Sequence, residues 1–150
     1  MNPAPAMRLV AAEEAFTLPE VQAATAEWLA ANPEREPGSR ALMQYGFGRE
    51  QARKWFTELV DFGKARREAM DAAGITTQLL LLSAPGVQIF DEPQGTSLAA
   101  LVNDRMAEVA QHEPARYAPL AAIAPRHHPR VAVIAATSPP PSTTPVSRPL

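Results

Sequence analysis

The residues best suited to chemistry fall into three small groups. Glu13 and Glu14 directly follow the short apolar run Arg8-Leu9-Val10-Ala11-Ala12. In α/β proteins ligands bind at the carboxyl ends of strands, so an acidic pair placed there has two readings. Strand alternation sends one side chain inward, where a carboxylate ligates a divalent metal or acts as a base. Alternatively the pair is solvated at a strand-to-helix turn, where negative charge is favourable in any case. Ser83-Ala84-Pro85-Gly86-Val87 holds the equivalent position after a second apolar run. Its small residues could wall a pocket, and they also make an ordinary Pro-Gly turn. The third group is the histidines. His112 ends a helical pattern, where an imidazolium is favourable on the surface. His127 and His128 are adjacent, so on a strand they face opposite ways, and no H-x-x-x-H or carboxylate partner follows. No G-x-S-x-G, P-loop or G-x-G-x-x-G is present, so nucleotide binding has no support.

The elements that must position these groups alternate between strand and helix. The run at 8–12 reads as a strand. Thr17-Leu18-Pro19-Glu20 has the form of a capping box and opens a helix to about Ala31, with Val21, Ala24, Trp28 and Leu29 at helical spacing. Asn32 to Ser39, with two Pro and a Gly, reads as loop. A second helix is expected from about Arg49 to Ala73, with Gly74 just past its end. The apolar residues of Ile75 to Ser83 do not alternate, which suits a strand buried on both faces in a parallel sheet. A third helix from Thr96 or Ser97 to Pro114, and a strand at Leu120–Ala124, complete the pattern. The fold class is therefore α/β with parallel strands and crossover helices.

Composition bounds the function classes. The chain has 150 residues, a formal net charge of −2, no cysteine and 16 prolines. Absence of cysteine excludes disulfide scaffolds, cysteine-zinc sites and thiol nucleophiles. No apolar run is long enough for a membrane span, and MNPAPAMRLV lacks the apolar stretch of a secretory signal, so a cytoplasmic protein is expected. The charge is unevenly spread. All 16 acidic residues lie at or before Glu113, and residues 114–150 carry four Arg and no acid. Six of the last 25 residues are Pro. Two segments are expected: an α/β unit over 7–125, and a low-complexity Pro/Ser/Thr/Arg tail over 126–150 that is expected to be disordered. Four Arg without interleaved aromatics do not make a nucleic-acid surface.

Taken together and in order, Val10-Ala11-Ala12-Glu13-Glu14-Ala15-Phe16, Met70-Asp71-Ala72-Ala73-Gly74-Ile75, Ser83-Ala84-Pro85-Gly86-Val87-Gln88, Asn103-Asp104 and Glu113-Pro114-Ala115-Arg116-Tyr117 resemble the amidohydrolase-related decarboxylases. These are relatives of aminocarboxymuconate semialdehyde decarboxylase, and Glu-Glu-Ala-Phe is most like the 5-carboxyvanillate branch, beside the γ-resorcylate and 2,3-dihydroxybenzoate enzymes. The resemblance implies a TIM-like (β/α)8 barrel and homo-oligomers. It also implies one Mn or Zn ion and non-oxidative loss of carbon dioxide from a small aromatic or enol carboxylate. It makes Glu13 a metal ligand, with Ala15 where other branches carry a second ligand, and it sets Ser83, Ala84 and Pro85 beside the substrate. Arg53, or Arg49, would help to hold the substrate.

Such a barrel takes ~250 residues, so the chain is expected to be truncated, holding about three β/α units. The remaining ligands of the family, a His and an Asp from later strands, have no counterpart here. The family activity is thus expected to be absent from this chain by itself, with no tight metal binding. A pseudoenzyme or non-catalytic fragment, a small interaction module using the Pro-rich tail, and a metal-dependent hydrolase are the other readings.

Overall fold

The structure, a computed structural model, describes residues 8–48 and 50–124. Along the chain come β1 (Val10–Phe16), α1 (Pro19–Ala31), α2 (Pro37–Gly48), α3 (Glu50–Glu58), α4 (Lys64–Ala72), β2 (Thr77–Leu82), α5 (Gln94–His112) and β3 (Tyr117–Pro119). The three strands form one parallel sheet in the order β1-β2-β3. The expected α/β class with parallel strands is what the chain adopts. The tail, His127 and His128 lie outside the described residues.

One face of the sheet is built for burial. Phe16 and Leu80 are fully buried, and Gln78, Leu80 and Leu82 share their face with Tyr117, Pro119, Glu14 and Phe16 through the parallel register. Against it pack Val21 of α1, Met70 of α4, and Val102 and Met106 of α5. The buried positions of α1 (Val21, Thr25, Trp28, Leu29) and of α5 (Gly95, Ala99, Val102, Met106) recur every three to four residues, so each helix turns one stripe inward. A second cluster joins Trp28, Leu29 and Met43 to Val87, Ile89, Phe90 and Ala99. It pins the segment after β2 to α1, α2 and α5.

Several boundaries differ from the sequence expectation. β1 runs four residues further, to Phe16, because Ala15 and Phe16 pair with Leu81 and Leu82. The Thr17 capping box is not used: Leu18 is the N-cap, without a side-chain hydrogen bond. The expected loop at 32–39 holds the start of α2, whose Pro37 suits a first turn. The long helix at 49–73 is two helices, separated at Phe62-Gly63, where the Asp61 carboxylate accepts from the amides of Gly63 (2.6 Å) and Arg66 (3.3 Å). Gly74 does follow α4 in the left-handed conformation, with φ of 69°. The third strand lies at 117–119, not 120–124. The later segment is held instead by Asn103, whose side-chain amide donates to the Ala122 carbonyl (3.0 Å) while its oxygen accepts from the Ala122 amide (2.7 Å). β2 carries no exposed residue: Thr77, Gln78 and Leu80 are buried, and Leu79, Leu81 and Leu82 are half-buried.

Tyr117 shows how tightly the covered face is closed. Its hydroxyl donates to the Phe62 carbonyl (3.2 Å) and its ring meets Phe62 edge to face at 6.3 Å. Burial raises its pKa above the ordinary 10.0, and the charges of Arg66 and Arg67 offset only part of that. A raised folded-state pKa favours the neutral phenol in the fold. The associated stability is complete below pH about 10 and is lost as pH rises through the folded value. Thermal melts between pH 8 and 12 should therefore fall more steeply above pH 10 than those of Tyr117→Phe.

Candidate functional site

The acidic pair does not sit after β1 but inside it. Ala11 pairs with Gln78 and Glu14 with Leu80, so three residues of β1 advance against two of β2. This is a β-bulge at Ala12-Glu13, the device that re-aims side chains within a strand. Because parallel partners share a face, Glu14 joins Leu80 on the helix side, and Glu13 joins the side of Ala15 and Leu81. Burial agrees: Glu13 is exposed and Glu14 half-buried. The pair is thus divided, one carboxylate to each face.

Glu14 is held by protein. Its carboxylate accepts from Gln78 Nε2 at 3.1 Å, and Gln78 Oε1 accepts from the Arg66 guanidinium at 3.2 Å. Arg66 also donates to the carbonyls of Asp61 (2.7 Å), Ala15 (3.1 Å) and Glu58 (3.4 Å), and lies over the Phe62 ring, 5.4 Å from its centroid. These groups floor a hollow of about 660 Å³ between β1, α3 and α4, walled by Leu59, Met70 and Ile75 and edged by Trp55. It lies on the helix side, so it is a space beside Glu14 rather than beside Glu13.

The other candidate residues occupy the carboxyl end of β2. The Ser83 amide donates to the Phe16 carbonyl (2.8 Å), which ties the loop to the end of β1. Gly86 has φ of 54°, and a Cβ there would come within 3.1 Å of Leu82, so glycine permits this turn. Ala84 and Pro85 line a cavity of about 310 Å³ with Leu81, Val87, Leu120 and Ile123. Ser83 lines a smaller crevice instead, with Thr17, Gln22 and Phe56. The loop thus frames a hollow at the strand ends, to which β2 contributes both Leu81, on the side of Glu13, and Leu82, on the helix side. Arg53 is exposed on α3, and the side chain of α3 that reaches the loop is Phe56. Arg49 lies outside the described residues. His112 is exposed in the last turn of α5.

Among the described residues, no three His, Cys, Asp or Glu side chains come together to hold a metal ion. Glu13 is a single carboxylate with Ala15 beside it on its face, and catalytic zinc sites use about three protein ligands. The donors among the described residues thus fall short of such a set. No described helix is long and apolar enough to cross a membrane. Sequence reading did not single out Gln78 or Arg66. The signal for Gln78 was there, as a lone amide entering Leu79-Leu80-Leu81-Leu82; Arg66 is one of several cations of α4 and carries no such mark.

No family model matches the sequence. Solved structures do. The 5-carboxyvanillate decarboxylase of Novosphingobium aromaticivorans, complexed with manganese and 4-hydroxy-3-methoxy-5-nitrobenzoic acid, is 28% identical with a TM-score of 0.74 over 81% of this chain and 35% of its own. That of Sphingomonas paucimobilis is 33% identical with a TM-score of 0.67, over 79% and 35%. A dihydroxybenzoic acid decarboxylase of a Polaromonas species, with manganese and the inhibitor 2-nitroresorcinol, is 28% identical with a TM-score of 0.58, over 78% and 30%. The chain is similar to the amidohydrolase-related decarboxylases that its motifs resemble, and it spans about a third of the length of these enzymes.

Proposed function

We propose that this chain carries the first three β/α units of a (β/α)8 barrel whose whole form performs metal-dependent, non-oxidative decarboxylation of a small aromatic carboxylate. The observation that supports the reading most is the division of the Glu13-Glu14 pair. The bulge leaves Glu13 on the side of Ala15 and Leu81, away from the helices, and Leu81 also lines the hollow that Ala84 and Pro85 frame, in a chain similar to a decarboxylase complexed with manganese and a nitrobenzoic acid. In this reading Glu13 supplies a metal-binding carboxylate. Ser83, Ala84 and Pro85 border the aromatic ring, and Arg53, exposed on α3 and away from the loop here, is the candidate that the resemblance implies for helping to hold the substrate.

The reading also says what this chain does not do unaided. One carboxylate is short of the ligand number that a divalent ion needs, so no chemical step is assigned to the chain by itself. The expected result is that the purified chain, incubated with manganese and 5-carboxyvanillate, releases carbon dioxide no faster than its Glu13→Ala variant. Turnover above that variant overturns the statement that the site is incomplete. Conversely, grafting residues 8–124 in place of the matching segment of a 5-carboxyvanillate decarboxylase should restore metal-dependent turnover that Glu13→Ala abolishes. A graft that folds and binds manganese, yet is indifferent to Glu13→Ala, would reject the assignment of Glu13.

A further inference from the structure

Glu14, Gln78 and Arg66 take no part in the site just proposed, yet they are joined in one chain of hydrogen bonds. We infer that they are positioning residues: they hold the β1 bulge in register and thereby decide which carboxylate of the pair faces the candidate site. The inference rests on the proposed role of Glu13.

The physical argument begins with register. A strand that slips by one residue exchanges its two faces. Without the bulge, Glu13 rather than Glu14 would stand opposite Leu80, on the helix side, and Glu14 would take the open side. The pair itself gives no preference, both residues being glutamate. Phe16, fully buried two residues on, anchors the strand beyond Glu14, and the Gln78 amide is placed to hold Glu14 within that register. It is buried, 6% exposed, and it is fixed from behind by the Arg66 guanidinium, which takes its oxygen and leaves its N–H₂ directed at Glu14 Oε2. A hydrogen bond to a carboxylate is stronger than one between neutral groups. Arg66 adds a second hold on the same strand by donating to the Ala15 carbonyl, one residue beyond Glu14. The bulge is thus gripped at Glu14 and at Ala15, and Glu13, next to the grip, is left with one direction.

Carbodiimide coupling to a small amine, followed by peptide mass mapping of each residue, tests this in the chain without metal or substrate. In the wild type, Glu13 should react roughly tenfold faster than Glu14, the scale set by one charge-assisted hydrogen bond. In Gln78→Glu a like charge faces Glu14 while Arg66 keeps an acceptor, so the melting curve should stay cooperative and the ratio should fall to about one. A merely structural role would move the melt and leave the ratio. Equal reactivity in the wild type, or an unchanged ratio in folded Gln78→Glu, overturns the inference. If that variant does not fold, Gln78→Asn, one methylene too short to bridge Glu14 and Arg66, is read in the same way; failure of both to fold also overturns it, by making Gln78 a residue of the fold. None of these outcomes depends on turnover, so they are separable from the tests of the proposed function.

Discussion

Phe16→Ala is expected to shift the thermal transition of this chain far downward, while Leu42→Ala leaves it nearly unchanged. Phe16 is fully buried at the end of β1, packed among Leu18, Val21, Met70 and Leu80, and its ring meets Phe62 edge to face at 5.8 Å. Phe62 in turn meets Tyr117, so the three rings join β1, the turn before α4, and β3. Truncation to alanine removes a ring and leaves a cavity that these neighbours cannot fill, at a cost of about 3–5 kcal/mol. Small domains are stable by only about 5–15 kcal/mol, so the loss takes a large share of the total. For a chain of this size it corresponds to a fall of on the order of 10–20 °C in Tm. Leu42 is 47% exposed on α2, and its truncation should stay within about 0.5 kcal/mol. Circular dichroism melts of the two variants check the contrast. Equal melts would mean that the sheet and helices do not share the core described.

Arg66→Met should cost about 2–4 kcal/mol, read as a shift in the urea midpoint with an unchanged slope. Methionine preserves the apolar stem, so the loss falls on the guanidinium. Its donors serve the carbonyls of Asp61, Ala15 and Glu58 and the Gln78 amide oxygen, joining the end of α3, the start of α4, β1 and β2. Part of this hollow is open to water, which satisfies some carbonyls after the substitution and keeps the cost below that of four buried orphans. The attraction to the Phe62 face is lost as well. Arg66→Lys should recover less than half, because an ammonium cannot reach in several fixed directions at once. Full recovery by lysine would show that charge alone matters there.

Much of the architecture was legible in residue order. The helical stripes of α1 and α5 follow from the spacing of their apolar residues, and the left-handed Gly74 from its place at the end of a helical pattern. The boundaries were less so, for local reasons. Pro37 breaks the regular pattern in sequence although proline suits a first helical turn, and one amphipathic pattern over 49–73 conceals the break at 59–63, where the Asp61 carboxylate caps the amide of Gly63. In sequence two glutamates look like the close of β1, whereas their backbone lies within the strand.

For the candidate site, the chain order of Glu13, the Ser83–Pro85 loop and the motifs around them was sufficient to indicate the decarboxylase resemblance, since residue types at strand ends are written directly in the sequence. It also showed that two adjacent carboxylates could not share a face. Which of them turns to the open side was a matter for tertiary structure. That depends on one extra residue in β1 and on the burial of Phe16, with an amide and a guanidinium 64 and 52 positions beyond Glu14 holding its carboxylate, and such a choice exists only once β1, β2 and α4 are packed together.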